Sequence, residues 1–362
     1  MSKQIYSVIK GTGKFIPERT IPNTYFLNHE FYNEKGEKLP AGNEEIIEKF
    51  REITNISERK YVNDDEVNSG IAAIAAKRAI EDAGIDKESL DYIIFAHNFG
   101  DVRHGSSVSD TVPSLAARVK HILGIKNPET VAYDMLFGCP GWVESMIQAN
   151  YYIKSGDAKR ALIIGADTLS RISDPYDRDS MIYSDGAGAT ILEAVESDKP
   201  VGIISHTTHS DTLNEAFYLW MGKSYKKGYK EDQYFLKMLG RKLYNYALIN
   251  VPQVVKKSLD KANLTLTDIK KILIHQANEK MDEAIVKRLF KLYGFNDFDR
   301  SIMPMTISWL GNSSVATVPT LLDMMLKHEI KNQKFFKGDH LVFCSVGAGV
   351  NINSIVYKCI NG

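Results

Sequence analysis

Short runs of apolar, β-favouring residues alternate along this chain with longer stretches whose apolar residues recur at helical spacing. Tyr92–His97, Thr130–Tyr133 and Ala161–Gly165 read as buried strands. Ser69–Ala83, Val112–Leu123 and Gly141–Lys154, between or beside them, read as helices. The theme returns in the second half. There Val201–Ser205, Lys271–His275, His340–Ser345 and Ile352–Tyr357 read as strands, and Asp232–Ala262, Glu279–Leu292 and Ser314–His328 as helices. Alternation of this kind predicts parallel sheet covered by helices on both faces, and two such sets predict a duplicated α/β architecture. The expected halves are residues 1–185 and 186–362, packed as one unit because no Pro/Ser-rich linker separates them. Asn28–Asn43, Asn98–Thr111 and Asp211–Asp232 break the pattern and are expected to be loops covering a site.

With 362 residues, 44% of them hydrophobic and 25% charged, the chain has the balance of a soluble globular protein. Its 45 basic and 45 acidic residues cancel, which argues against bulk nucleic-acid binding. No apolar run reaches the roughly 18 residues that a membrane span needs. The first residues lack the apolar stretch of a secretion signal, so the expected location is the cytoplasm. Three scattered cysteines suit neither a disulfide framework nor a zinc site.

One cysteine is placed differently from the others. Tyr133-Asp-Met-Leu-Phe-Gly-Cys-Pro-Gly-Trp142 ends a strand, turns at Phe137-Gly138, and opens a helix with Cys139, followed by Pro140 at the expected first helical position. Free N–H groups and the positive dipole end there are expected to lower the thiol pKa and make Cys139 a nucleophile; the plain alternative is a small buried hydrophobe. Cys344 and Cys359 lie in or beside strand-like runs and read as core. A thiolate that accepts an acyl group needs oxyanion donors and an acid/base partner. His275 ends a strand and opens His275-Gln-Ala-Asn278, and Gly311-Asn-Ser-Ser314 makes a second polar turn before a helix. Strand ends are where parallel sheets place their sites.

Cys139, His275-Gln-Ala-Asn278 and Gly311-Asn-Ser-Ser-Val-Ala-Thr-Val-Pro319, with Asp174–Arg178, Ser184–Gly188 and Val346–Gly349, resemble the β-ketoacyl-acyl-carrier-protein synthase III group of the thiolase superfamily from about Lys10 to Tyr357. The resemblance implies a thiolase-like fold in αβαβα layers with mixed, mainly parallel sheets. It implies an acyltransferase in which Cys139 takes an acyl group from a thioester. A malonyl-type thioester on acyl carrier protein then decarboxylates and attacks. His275 and Asn312 would hold the carbonyl of that second substrate, and the backbone N–H groups of Cys139 and Ala348, where the family usually has glycine, would form the oxyanion hole. Lys280, Lys287 and Arg288 resemble carrier-docking positions, against the alternative of a solvated helix face. Arg171 resembles a basic position at the substrate entrance. No resident cofactor or metal is implied, only carrier-protein or coenzyme A thioesters as substrates; a homodimer with the sheet continued across the interface is.

Thr54-Asn55-Ile56 replaces the family's Thr-Gly-Ile, and Lys49 and Ile53 stand where acetyl-coenzyme A users carry a Trp and an Arg. A longer acyl donor is therefore expected, as in enzymes making dialkylresorcinol precursors. A papain-like hydrolase shares the order Cys, His, Asn but not the local pattern around the cysteine. A catalytically silent thiolase-fold subunit is a further alternative. Gly11-Thr-Gly13 and its like do not extend to a dinucleotide fingerprint. His206 and His209 lack a third metal ligand. Tyr225, Tyr229 and Tyr234, among lysines, are expected to cap an acyl chain rather than bind nucleic acid.

Overall fold

A computed structural model describes residues 3–360 apart from residue 107. Its strands are β1 (Gln4–Phe15), β2 (Arg19–Pro22), β3 (Glu58–Tyr61), β4 (Tyr92–Ala96), β5 (Val131–Met135), β6 (Arg160–Thr168), β7 (Asp185–Ser197), β8 (Gly202–Ser210), β9 (Leu219–Gly222), β10 (Phe235–Met238), β11 (Ile269–Ile274), β12 (His340–Gly347) and β13 (Asn351–Lys358). Its helices are α1 (Asn43–Thr54), α2 (Asn68–Ala83), α3 (Leu115–Ile122), α4 (Gly141–Ser155), α5 (Gly240–Lys261), α6 (Glu279–Lys291), α7 (Ile307–Leu310) and α8 (Thr317–Leu326).

Two sheets organise the chain, in the orders β1-β7-β6-β4-β5 and β11-β12-β13-β8. Strands β6, β4 and β5 run parallel side by side, while β7 is antiparallel to both its neighbours. In the second sheet β11 and β12 are parallel and β13 reverses. One core joins the inner faces of both sheets through α4 and α8, with Trp142, Met146, Leu321 and Phe343 fully enclosed. A second core packs α2 and α3 on the outer face of the first sheet, and a third packs α5 and α6 on the outer face of the second. The result is five layers, αβαβα, with α4 and α8 as the middle one. The near-continuous apolar runs of β4 and β6 follow from this burial on two faces.

The first sheet keeps β7 through Ser197, so the division between sheets falls beyond the expected boundary at residue 185. Helix α1 also lies outside the expected elements. Its apolar positions Ile46, Phe50 and Ile53 alternate with charges that pair along its exposed side, such as Arg51 with Glu48 at 2.6 Å. Within Asp232–Ala262 the chain first makes β10, the return strand of a hairpin with β9, and turns helical only at Gly240. A buried ion pair holds that hairpin: Lys237 Nζ lies 2.6 Å from Asp174 and 3.1 Å from Asp177. No helix among the described residues is long and apolar enough to cross a membrane.

Candidate active site

The middle layer brings the polar turns together. Cys139 sits at the C-terminal end of the first sheet's parallel strands, just before α4, with Pro140 at the N-cap rather than the first helical position. Gly138 precedes it at φ +68°, a left-handed turn that a Cβ would strain. Asn312 occupies the corresponding place before α8, and His275 follows β11. All three line one cavity of about 710 Å³ together with Gly138, Gly347 and Ala348. The backbones of residues 138–139 and 347–348 are pressed together: a Cβ on Gly347 would lie 2.6 Å from the Cys139 nitrogen, and one on Gly138 would lie 2.7 Å from the Ala348 nitrogen. The backbone nitrogens of Cys139 and Ala348 thus belong to two segments packed tightly against each other.

Each side chain is oriented by neighbours. The Ser314 N–H donates to Asn312 Oδ1 at 2.8 Å, and the Asn312 amide N–H₂ donates to no acceptor among the described residues. The Ser314 hydroxyl donates to Cys139 Sγ at 3.3 Å, and Asn98 Nδ2 donates to Ser314 Oγ at 3.0 Å and to buried Asp167 at 2.6 Å. Ser314 holds φ +55°, an uncommon conformation for a residue with a Cβ and one that concentrates at functional sites. Thr317 Oγ1 lies 3.0 Å from the Ser314 carbonyl, to which it donates, and 2.8 Å from His275 Nδ1. With the hydroxyl proton on Ser314, His275 Nδ1–H donates to Thr317 and Nε2 keeps a lone pair. Rotating the hydroxyl onto Nδ1 puts the imidazole proton on Nε2 instead.

Enclosure dominates the titrations. Burial pushes the Cys139 thiol up to about 11, with nearby Asp167 adding to the rise and the Ser314 hydroxyl opposing it. The thiolate expected from a helix start is therefore outweighed by desolvation, and the resting group is a thiol. Burial also lowers His275 to about 4, so its imidazole is neutral at ordinary pH.

Several sequence expectations fall elsewhere. Arg171 donates to Asn63 O at 2.6 Å and contacts His104 at 2.8 Å, away from the cavity, whose basic lining comes from Lys49, Arg178 and Arg241. Tyr225 covers Lys237, with the ammonium 3.4 Å from the ring centre, and Tyr229 packs on Tyr176; the aromatic run seals the cover against itself and does not line the cavity. The cover does contribute Leu39, Pro40 and Leu219, which line the cavity together with Phe50 and Ile53 of α1. Lys280, Lys287 and Arg288 are exposed on one side of α6 and form no ion pair among the described residues. Ser314 and Thr317 were within reach of sequence reasoning, since both belong to the block Gly311–Pro319. Asn98 and Asp167 follow or end strands with no local signal. Among the described residues no three acidic, His or Cys side chains cluster as a metal would need.

The chain is similar to known proteins over nearly its whole length. The family described as 3-Oxoacyl-[acyl-carrier-protein (ACP)] synthase III matches residues 133–212, and its C-terminal counterpart matches residues 259–359. A β-ketoacyl-[acyl-carrier-protein] synthase III of Staphylococcus haemolyticus is 32% identical over 351 residues, covering 97% of this chain and 98% of that one. The Staphylococcus aureus protein of the same name gives the same identity and coverage. The crystal structure of 3-oxoacyl-[acyl-carrier-protein] synthase III from Aquifex aeolicus superposes with a TM-score of 0.79 at 25% identity, covering 98% of this chain and 100% of that one. The Thermus thermophilus enzyme gives a TM-score of 0.79 at 26% identity, with the same coverage.

Fold and site define a condensing acyltransferase of the thiolase fold. The chain belongs to the 3-oxoacyl-[acyl-carrier-protein] synthase III family, whose class of reaction is the decarboxylative Claisen condensation of fatty-acid biosynthesis. The comparisons do not favour the expected alternatives, a dialkylresorcinol-precursor enzyme or a silent subunit.

Proposed function

We propose that Cys139 carries the acyl group and that His275, Asn312 and the N–H groups of Cys139 and Ala348 perform the two half-reactions. The observation that carries this reading is the convergence of Cys139, His275 and Asn312 on one cavity, next to the closely packed backbones of residues 138–139 and 347–348. In the first step Sγ attacks the donor thioester, the new S–C bond forms and the donor's S–C bond breaks. His275 Nε2 accepts the thiol proton and passes it to the departing thiolate, as the Nδ1–H tautomer allows. In the second step carbon dioxide leaves a malonyl-type extender, and Asn312 Nδ2 with Nε2–H of His275 stabilises the enolate oxygen. The carbanion attacks the acyl carbonyl, the C–C bond forms, the Cys139 S–C bond breaks, and the released thiolate takes up a proton from solvent to restore the thiol. The backbone donors at 139 and 348 take the tetrahedral oxyanion. No metal or resident cofactor is needed, because the extender supplies its own electron pair on losing carbon dioxide.

The extender is delivered by acyl carrier protein to the exposed face of Lys280, Lys287 and Arg288. The reading includes a homodimer joined at β5, an edge strand that among the described residues pairs only with β4, and whose Val131 and following Leu136 are 48% and 67% exposed. Reduced thiols at Cys139, Cys344 and Cys359 fit a cytoplasmic enzyme. The test is intact-mass detection of acylated Cys139 with an acyl thioester, followed by carbon dioxide release from malonyl carrier. Absence of both in a folded wild type, or acylation surviving in Cys139→Ala, overturns the reading.

A further inference from the structure

The cavity that holds Cys139 is largely apolar, yet among the described residues two polar side chains in its wall, buried Tyr183 and half-buried Asp179, have no side-chain hydrogen-bond partner. Tyr183 is 4% exposed and lines the cavity, and its hydroxyl forms no hydrogen bond among the described residues. Its position is fixed by the backbone, which pairs with residue 312: the Asn312 N–H donates to Ile182 O at 3.0 Å and the Ser184 N–H donates to Asn312 O at 2.8 Å. Tyr183 therefore stands directly beside the Asn312 turn. Asp179 lies one turn earlier, in a 3-10 segment capped by Asp177, and also lines the cavity. Its carboxyl oxygens accept no hydrogen bond among the described residues, and the buried cation nearby, Lys237, is already taken by Asp174 and Asp177. Burial and the Asp177 charge hold the Asp179 carboxyl up to about 7.

A buried hydroxyl without a partner is costly, and native proteins satisfy such groups with a protein group, an ordered water or a bound ligand. We propose that Tyr183 and Asp179 form a polar subsite inside the substrate cavity, built to take a hydroxyl or amide group of the thioester substrate. Such a group both donates and accepts, and so serves a phenol and a carboxyl at once. Two parts of the substrate carry this chemistry: a hydroxyl along the acyl chain, or the amides of the pantetheine arm. The inference rests on the condensing reading above and names what that cavity recognises.

The experiment measures kcat/KM for Cys139 acylation with octanoyl thioesters and with isomers bearing one hydroxyl at successive carbons. Each is presented on coenzyme A and on truncated N-acetylcysteamine, to wild type, Tyr183→Phe and Asp179→Asn. A preference of about tenfold or more for one hydroxylated isomer on both carriers, reduced toward one in both variants, assigns the subsite to the acyl chain. A loss in both variants confined to the coenzyme A thioesters assigns it to the arm. Ratios within one variant cancel its folded fraction. If neither variant shifts either ratio, water fills the space and the proposal is overturned. Failure of every donor to acylate wild-type Cys139 instead sinks the condensing reading itself.

Discussion

The Ser314 hydroxyl points its proton at the Cys139 sulfur from 3.3 Å, across the boundary between the two halves of the chain. It opposes the burial that raises the thiol pKa. Replacing Ser314 with Ala should slow Cys139 acylation by about three- to tenfold, the range of one hydrogen bond. Stopped-flow release of the donor thiol reads this rate. An unchanged rate would mean that the contact has no part in activating the sulfur.

A thiol held at about 11 predicts a distinctive labelling profile. Raising the pH favours the thiolate, so iodoacetamide labelling of Cys139 should climb about tenfold per pH unit from neutrality and show no plateau below about pH 10. Quantitative mass spectrometry separates it from buried Cys344 and Cys359. A plateau near pH 7 would show that the start of α4 lowers the thiol despite burial.

Thr317 sets the proton on His275 through a single hydroxyl. Thr317→Val leaves Nδ1 without its partner, a loss of about 1–3 kcal/mol, and should depress malonyl decarboxylation by roughly tenfold or more. Thr317→Ser keeps the hydroxyl and should restore most of it. Equal losses in the two variants would make Thr317 a packing residue only.

The face of α6 gives an electrostatic prediction. Lys280→Glu combined with Lys287→Glu should raise KM for carrier-bound extender by about tenfold or more relative to KM for a small malonyl thioester, and the difference should shrink at high salt. Equal changes for both substrates reject carrier docking there.

The sequence itself determined the layers and three polar corners. Apolar runs too continuous for a one-faced strand required burial of β4 and β6 on two sides, and helical periodicity supplied the covering layers. Gly138-Cys139-Pro140, His275-Gln-Ala-Asn278 and Gly311-Asn312 are local signals, because turn chemistry and capping act within a few residues. Only the tertiary structure decided the rest. The thiol pKa depends on desolvation by distant segments, which a helix start alone does not register. Asn98, Asp167 and Tyr183 enter the site through contacts spanning many residues, and Arg171 leaves it for the same reason: its guanidinium finds Asn63 and His104 before it finds the cavity. Spacing along a chain specifies which groups end strands and open helices. Which of them face one enclosed space depends on how α4 and α8 pack between two sheets.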